Sequence, residues 1–166
     1  MIELVKRAKN GDRAAFTNLV ILYQSELFKI ARAKINNVED INDVIQETIL
    51  IAFDNVGKLK DETKFKAWII KILINECNRF YKSKRIVQMP IEEYTEGKLD
   101  NVDDKIIYEK VLSYLKPDER IIILLHYVSG YTSKEIAEIL SKNENTIKTK
   151  IKRIKEKLYE KFEGGV

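Results

Sequence analysis

Apolar residues recur at steps of three or four residues near the start of the chain, and this spacing constrains the fold more than any other feature. Phe16, Leu19, Tyr23, Leu27 and Ile30 follow it without a break. Side chains spaced in this way lie on one side of an α-helix, whereas a half-buried β-strand needs a period of two. Helical spacing continues in later segments and strand-like alternation is not found, so the sequence predicts an all-α fold.

Three helices are predicted in the first part of the chain. Asp12 is a plausible N-cap of the first helix, and the second helix starts near Asp40. Thr63 is the predicted cap of a third helix that runs to about residue 84. Phe65 and Trp68 lie at helical spacing within this third helix. We therefore expect both rings to be core residues rather than surfaces on which nucleic-acid bases stack.

Charge divides the chain into two basic lobes and an acidic segment between them. The formal net charge of +4 identifies no partner by itself. Basic residues dominate over residues 58–85 and again over residues 148–161, whereas residues 87–104 are acidic. We predict two small helical domains, residues 1–86 and 105–166, joined by the acidic linker of residues 87–104. Two basic lobes suggest two contacts with a polyanion.

Cys77 is the only cysteine and His126 the only histidine, and this excludes several classes of protein. No internal disulfide can form, and a Cys/His zinc cluster cannot be assembled. The sequence has no glycine loop for phosphate and no histidine near a nucleophile, so we expect no enzyme activity, no metal and no cofactor. It has neither a signal peptide nor an apolar run long enough to span a membrane, which favours a cytoplasmic location without membrane insertion.

The last predicted helix divides into an apolar side and a polar side. On a helical wheel, Ile147, Ile151, Ile154 and Leu158 share one side. The opposite side carries an amide, a hydroxyl and two ammonium groups, contributed by Asn145, Thr149, Lys148 and Lys152. Such groups suit the base edges of the DNA major groove, and the cations on the flanks suit phosphates.

A solvated lysine-rich face on a surface helix would have a similar composition, so the preceding segment matters. Thr132 and Glu135 have the spacing of a capping box at the start of another helix. The short turn at residues 141–143 then leads into the last helix. Two helices joined in this way form a helix-turn-helix, whose second helix enters the major groove. The combination favours DNA binding.

These segments also carry a resemblance to a known family. Residues 130–140 and 143–150 resemble region 4 of sigma factors, a likeness that a response-regulator DNA-binding domain could share. Residues 40–48 resemble sigma region 2.2, and residues 65–75 resemble the start of the region 2.3–2.4 helix. Both signatures, in this order, resemble the extracytoplasmic-function (group IV) sigma factors of the sigma-70 family. The likeness extends from about Ala8 to Phe162.

The resemblance implies an alternative sigma factor that binds the RNA polymerase core and directs promoter-specific transcription initiation. In the family, the region 2.2 helix binds the clamp helices of the largest polymerase subunit. The corresponding residues here are Asp40, Asp43, Gln46 and Glu47. Asp40 and Asp43 could instead be ordinary acids that interact with a helix dipole. The helix over residues 117–128 would dock on the flap of the second-largest subunit, while the acidic linker threads the polymerase cleft.

The resemblance also implies two promoter-DNA contacts. The loop of residues 58–64 corresponds to the −10 specificity loop, which holds a flipped base. The residues predicted to contact the −10 element are Lys58, Lys60, Lys64, Asn75, Arg79, Lys82, Lys84 and Arg85. Those predicted to contact the −35 element are Asn145, Thr146, Lys148, Thr149, Lys150, Lys152 and Arg153. The turn departs from the family pattern, because Ser141 and Lys142 stand where a glycine and an apolar residue are common.

A free-standing helix-turn-helix regulator is the alternative function. Such a regulator would be a dimer that binds duplex DNA specifically without polymerase. A sigma factor would be a monomer when free and would bind DNA selectively only with the polymerase. The region 2.2 signature favours the sigma factor. The family also implies an anti-sigma partner that covers the polymerase-binding faces until a signal releases them.

Overall fold

The computed structural model describes residues 1–84 and 110–162, with only the backbone described at Lys84. The chain divides into two compact units, Met1–Ile86 and Val87–Val166. Every regular element among the described residues is helical, as the apolar spacing predicts. The acidic segment predicted to be a linker, residues 87–104, lies outside the described residues, and so does Arg85.

The first unit contains four α-helices. They are α1 (Ile2–Lys9), α2 (Arg13–Arg32), α3 (Val38–Asn55) and α4 (Phe65–Lys84). Two 3₁₀ turns, Val56–Lys58 and Glu62–Lys64, lie between α3 and α4. α1 is not predicted by the sequence pattern, because only Val5 and Ala8 of its eight residues are buried. Two buried residues are too few to form a recognisable stripe.

The helix starts follow local hydrogen bonds from side chains. Asp12 is the predicted cap, and its Oδ1 accepts a hydrogen bond from the Ala15 N–H at 3.0 Å. α3 begins two residues before the predicted Asp40, because Asn37 Oδ1 accepts from the Asp40 N–H. The prediction that Thr63 caps α4 is wrong. Asp61 Oδ1 instead accepts from the Thr63 N–H at 2.9 Å, which forms a 3₁₀ turn before α4 begins.

The apolar stripe of α2 forms the core of the first unit. All five of its residues are buried, and Leu19 and Leu27 are fully enclosed. The Tyr23 ring lies 6.0 Å from that of Phe65 on α4, which is buried as predicted, whereas Trp68 is half-buried. Burial of each large apolar side chain contributes about 1.5–3 kcal/mol. Cys77 is part of this core, and burial raises the pKa of its thiol to about 12, so it stays protonated and unreactive.

The described part of the second unit contains three α-helices after a helical turn at residues 110–113. They are α5 (Pro117–Ile123), α6 (Ser133–Leu140) and α7 (Glu144–Phe162), with a π-helical turn over Leu124–Val128 following α5. The guanidinium of Arg120 connects α5 to the chain that precedes Pro117. Its Nε donates to the carbonyl oxygens of Leu112 and Leu115 at 2.8 and 2.9 Å. Arg120 therefore ties the chain before Pro117 to α5.

The helix-turn-helix predicted from the capping box is present as α6, a short turn and α7. Thr132 Oγ1 accepts from the Glu135 N–H at 3.3 Å, and Glu135 Oε2 accepts from the Thr132 N–H at 2.9 Å. Ser141 ends α6 with φ of +52°, a left-handed conformation in which glycine is unstrained. This backbone conformation explains why the family often has glycine at this position. Here a serine adopts it.

The carboxylate of Glu119 joins α5 to the middle of α7. Its Oε2 accepts from the Lys116 N–H at 2.8 Å and from Lys157 Nζ at 3.0 Å. Burial raises the pKa of Glu119, but these two hydrogen bonds outweigh burial and hold the pKa below the ordinary value of 4.5. The charged carboxylate is therefore favoured in the folded state.

This lowered pKa predicts an acid-sensitive contribution to the stability of the second unit. An unfolded chain binds the Glu119 proton more readily than the folded one, so the contribution is present above pH 4.5 and is lost as pH falls through the folded-state pKa. We expect Glu119→Gln to lower the urea midpoint at about pH 6 and to lower it less at about pH 3. An equal loss at both pH values would contradict this interpretation.

Candidate polymerase and promoter interfaces

The inward side of α3 is anchored by Ile41, Val44, Thr48 and Ala52, all of which are buried. Thr48 Oγ1 donates to the Val44 carbonyl oxygen at 2.8 Å, so the one polar group of this side is satisfied. This packing turns the predicted polymerase contacts outward. Asp43 and Gln46 are exposed, and Asp40 and Glu47 are half-exposed, on the solvent side of α3.

Leu50 is a candidate contact that the sequence reasoning missed. It follows Asp43, Gln46 and Glu47 at the spacing i, i+3, i+4 and i+7, so all four lie on one side of α3. The Leu50 side chain is 60% exposed. The sequence does contain a sign of this contact, because Leu50 is an apolar residue outside the buried stripe of α3. We call Asp43, Gln46, Glu47 and Leu50 the α3 outer face.

The loop of residues 58–64 presents its cations to solvent. Lys58, Lys60 and Lys64 are all exposed, as the prediction of a nucleic-acid contact requires. Lys58 Nζ donates to Asn55 Oδ1 at 2.9 Å near the end of α3. Glu62 turns towards the first helix, where its Oε1 lies 2.5 Å from Lys9 Nζ. The C-terminal end of the loop is therefore held by the pair between Glu62 and Lys9, while the lysines of the loop stay accessible to solvent.

α4 carries the remaining described residues of the predicted −10 contact. Asn75, Arg79 and Lys82 are exposed and lie four and three residues apart, so they share one side of the helix. Arg79 Nη2 lies 2.5 Å from Glu76 and 3.6 Å from Glu47 of the α3 outer face. The predicted DNA-binding side of α4 therefore meets the predicted polymerase-binding side of α3 at Arg79. Lys84 lies in the last turn of α4, and Arg85 is outside the described residues.

α7 carries the predicted −35 contacts outside the stripe that packs on its own domain. Ile147, Ile151 and Ile154 are buried, and Leu158 is half-buried. Lys150 is half-exposed, and the fully exposed residues of the predicted set are Asn145, Thr146, Lys148, Thr149, Lys152 and Arg153. The apolar side of the helix therefore docks on its own domain, and the polar side is open to a ligand.

Intrahelical contacts hold three of these polar groups. Lys148 Nζ lies 2.8 Å from Glu144, and Lys152 Nζ lies 3.8 Å from Glu156. Exposed ion pairs of this kind are worth only about 0–1 kcal/mol, so a base or a phosphate can replace the glutamate. Thr149 Oγ1 donates to the Asn145 carbonyl oxygen at 2.8 Å. The two lone pairs of the Thr149 hydroxyl can still accept hydrogen bonds from DNA.

Residues 1–84 and 110–162 contain no helix that is long and apolar enough to cross a membrane. Within the same ranges, no group of three or more His, Cys, Asp or Glu side chains is placed to hold a metal ion. His126 is half-buried, and its Nδ1 lies 3.0 Å from the Tyr131 carbonyl oxygen. The polar surfaces of α3, α4 and α7 are therefore the candidate sites in the described part of the chain.

Comparison with known proteins assigns the chain to a family. Residues 19–86 match the profile of Sigma-70 region 2, and residues 105–158 match that of Sigma-70, region 4. The ECF RNA polymerase sigma factor SigW of Bacillus subtilis is 28% identical over 174 residues, which cover 93% of this chain and 92% of SigW. RNA polymerase sigma factor SigV of the same organism is 26% identical over 151 residues, covering 89% and 90%.

A solved structure shows the same likeness. The sigma factor RpoE of Bartonella quintana, in complex with the anti-sigma factor NepR, matches with a TM-score of 0.68 and 26% identity, over 87% of this chain and 94% of that one. The two family profiles occur in the order region 2 and then region 4, and they span most of the sequence. The chain belongs to the sigma-70 family and is an alternative sigma factor of the extracytoplasmic-function group that directs transcription.

Proposed function

We propose that this sigma factor binds the RNA polymerase core through the α3 outer face together with Asp40. The observation that carries this proposal is the division of α3 into a fully packed inner side and an outer side that combines acids, an amide and an exposed leucine. An apolar residue surrounded by polar ones is typical of the centre of a protein interface. The helix and π turn of residues 117–128 form the second contact, with the polymerase flap.

We infer that the −10 element is bound by the 58–64 loop and one side of α4. A base extruded from the duplex needs a pocket, and the unpaired strand needs cations along its phosphates. The loop offers exposed lysines at the start of α4, and Asn75, Arg79 and Lys82 continue the polar surface along the helix. Lys84 and Arg85 would extend it towards the acidic linker.

We infer that α7 enters the major groove of the −35 element. Asn145, Lys148, Thr149 and Lys152 face outward together, and these side chains can pair with base edges. Arg153 and Lys150 flank this side and suit the phosphates of the groove walls. The DNA-binding units would be residues 1–86 and 105–166, with residues 87–104 as the connecting linker.

We also propose that an anti-sigma protein controls this chain, since RpoE of Bartonella quintana is solved with the anti-sigma factor NepR. Such a partner would cover the polymerase-binding surfaces of both units. The free protein would be a monomer, and it would act in the cytoplasm, where the polymerase transcribes DNA. The mechanism needs no catalytic group, metal or cofactor, because the sigma factor supplies binding surfaces and the polymerase supplies the chemistry.

Mixing the protein with sigma-free polymerase core tests the proposal. We expect the two to co-elute from a size-exclusion column, and the complex to transcribe only some promoters from a library with randomised −10 and −35 elements. The protein alone, run as a control, should elute as a monomer. Failure to co-elute, together with tight duplex binding by a dimer, would instead support a free-standing helix-turn-helix regulator.

A further inference from the structure

We propose that Lys9 is a positioning residue for −10 recognition, because its ion pair with Glu62 holds the 58–64 loop in the shape that receives a promoter base. The inference rests on the proposed assignment of this loop to the −10 element. It gives α1 a role in promoter specificity. The first helix would then contribute to DNA recognition without touching DNA.

The ion pair is well placed to restrain the loop. Lys9 Nζ lies 2.5 Å from Glu62 Oε1, and the two side chains are only 19% and 26% exposed. Ion pairs that are partly shielded from solvent are less weakened by salt than exposed ones. The hydrogen bond from Lys9 is the largest cause of the lowered pKa of Glu62, so the carboxylate remains charged at neutral pH. The contact is therefore a persistent link between α1 and the loop.

The main chain of α1 also lies close to the 3₁₀ turn that begins just before the loop. The carbonyl oxygen of Lys9 lies 3.6 Å from the position that a Cβ on Gly57 would occupy. α1 packs against both 3₁₀ turns, Val56–Lys58 at the start of the loop and Glu62–Lys64 at its end. Lys60 and Asp61 lie between the turns and are exposed. The loop is thus fixed at both ends on α1, and its middle is left open to a ligand.

Fixing the loop matters for discrimination between bases more than for binding to the polymerase. Base flipping costs unstacking free energy, which a pocket offsets only when its contacts fit the extruded base. Such contacts must be held to within roughly 0.5 Å to be selective. A loop released from α1 would still carry its lysines and attract phosphates. It would lose the geometry that distinguishes one base from another.

Transcription by the reconstituted holoenzyme provides the test. The variants are Lys9→Met, Glu62→Gln and the charge-preserving Lys9→Arg. The matched control is Arg7→Met, also on α1, which removes the 2.6 Å pair between Arg7 and Asp12, the N-cap of α2, and leaves the pair between Lys9 and Glu62 in place. Lys60→Ala tests the loop itself. Each variant is assayed for co-elution with core, for urea stability, and for transcription from promoters carrying each of the four bases at every −10 position.

We expect Lys9→Met and Glu62→Gln to lower the preference for the best base over the others by about fivefold, the ratio that corresponds to roughly 1 kcal/mol. Co-elution with core should be unchanged, Lys9→Arg should keep most of the preference, and Arg7→Met should leave it intact. The role of Lys9 is overturned if the preference survives in both loop-releasing variants, or if Arg7→Met lowers it equally. If Lys60→Ala also leaves every −10 preference unchanged, the assignment of the loop itself fails with it.

Discussion

Leu50→Arg should reduce binding to the polymerase core by about thirtyfold, the ratio that corresponds to about 2 kcal/mol, the threshold for loss of a hot-spot residue at the centre of an interface. Leu50 is 60% exposed, and Asp43, Gln46 and Glu47 lie beside it on the α3 outer face. An acidic surface requires a basic partner, so an arginine at its centre adds like-charge repulsion to the loss of apolar contact. Because Leu50 contributes little to the core, the variant should fold normally.

Leu22→Arg is a matched control for this measurement. Leu22 is 57% exposed on α2, so the change in side chain and in exposure is almost the same. It lies on α2, four residues before Glu26, whose carboxylate pairs with Lys66 of α4 at 3.0 Å, and it is not part of the α3 outer face. Titration of labelled core with each variant should show weakened binding for Leu50→Arg alone. Equal affinities for the two variants would remove the α3 outer face from the proposed interface.

Where helices depend on a long apolar stripe, the sequence is sufficient to predict them. The stripe from Phe16 to Ile30 covers five buried positions, and the capping box at Thr132 forms through contacts only three residues apart. The π-helical turn over Leu124–Val128 could not be predicted, because it changes the hydrogen-bond register without changing the apolar composition. The short α1 lacks a long stripe and is stable only because it packs on the rest of the unit.

The sequence predicts a candidate site well where its residues lie close together in the sequence, and poorly where they come from different helices. The exposed residues of α7 follow directly from helical periodicity, because their positions depend only on which side is apolar. The pair between Lys9 and Glu62 joins residues 53 positions apart, and no pattern in the sequence connects them. The same holds for Arg79, whose pairing with Glu47 links two helices. Long-range ion pairs depend on how helices pack, and periodicity does not encode this.

Lys148→Ala should weaken binding of the holoenzyme to its preferred −35 element by about 1–3 kcal/mol, the range for loss of a side chain that pairs with a base. Lys148 is exposed at one edge of the polar side of α7, next to Asn145 and Lys152. Its ammonium pairs with Glu144 at 2.8 Å, and the side chains are 59% and 42% exposed, so the pair is weak enough for a guanine to displace the carboxylate. Fluorescence anisotropy at several salt concentrations, with all four bases tested at each −35 position, measures the change.

The way in which the loss of affinity varies among −35 sequences distinguishes base recognition from phosphate binding. Removal of a base contact lowers affinity most for the matched element and relaxes the preference at one position, whereas removal of a phosphate contact lowers affinity uniformly and reduces the salt slope by about 1. Lys161→Ala removes an equivalent charge about 20 Å further along the same helix. This control should leave the base preference at every −35 position unchanged. A uniform loss for Lys148→Ala would therefore assign Lys148 to a groove wall. Base recognition would then rest on Asn145, Thr149 and Lys152, the other outward residues of the same side.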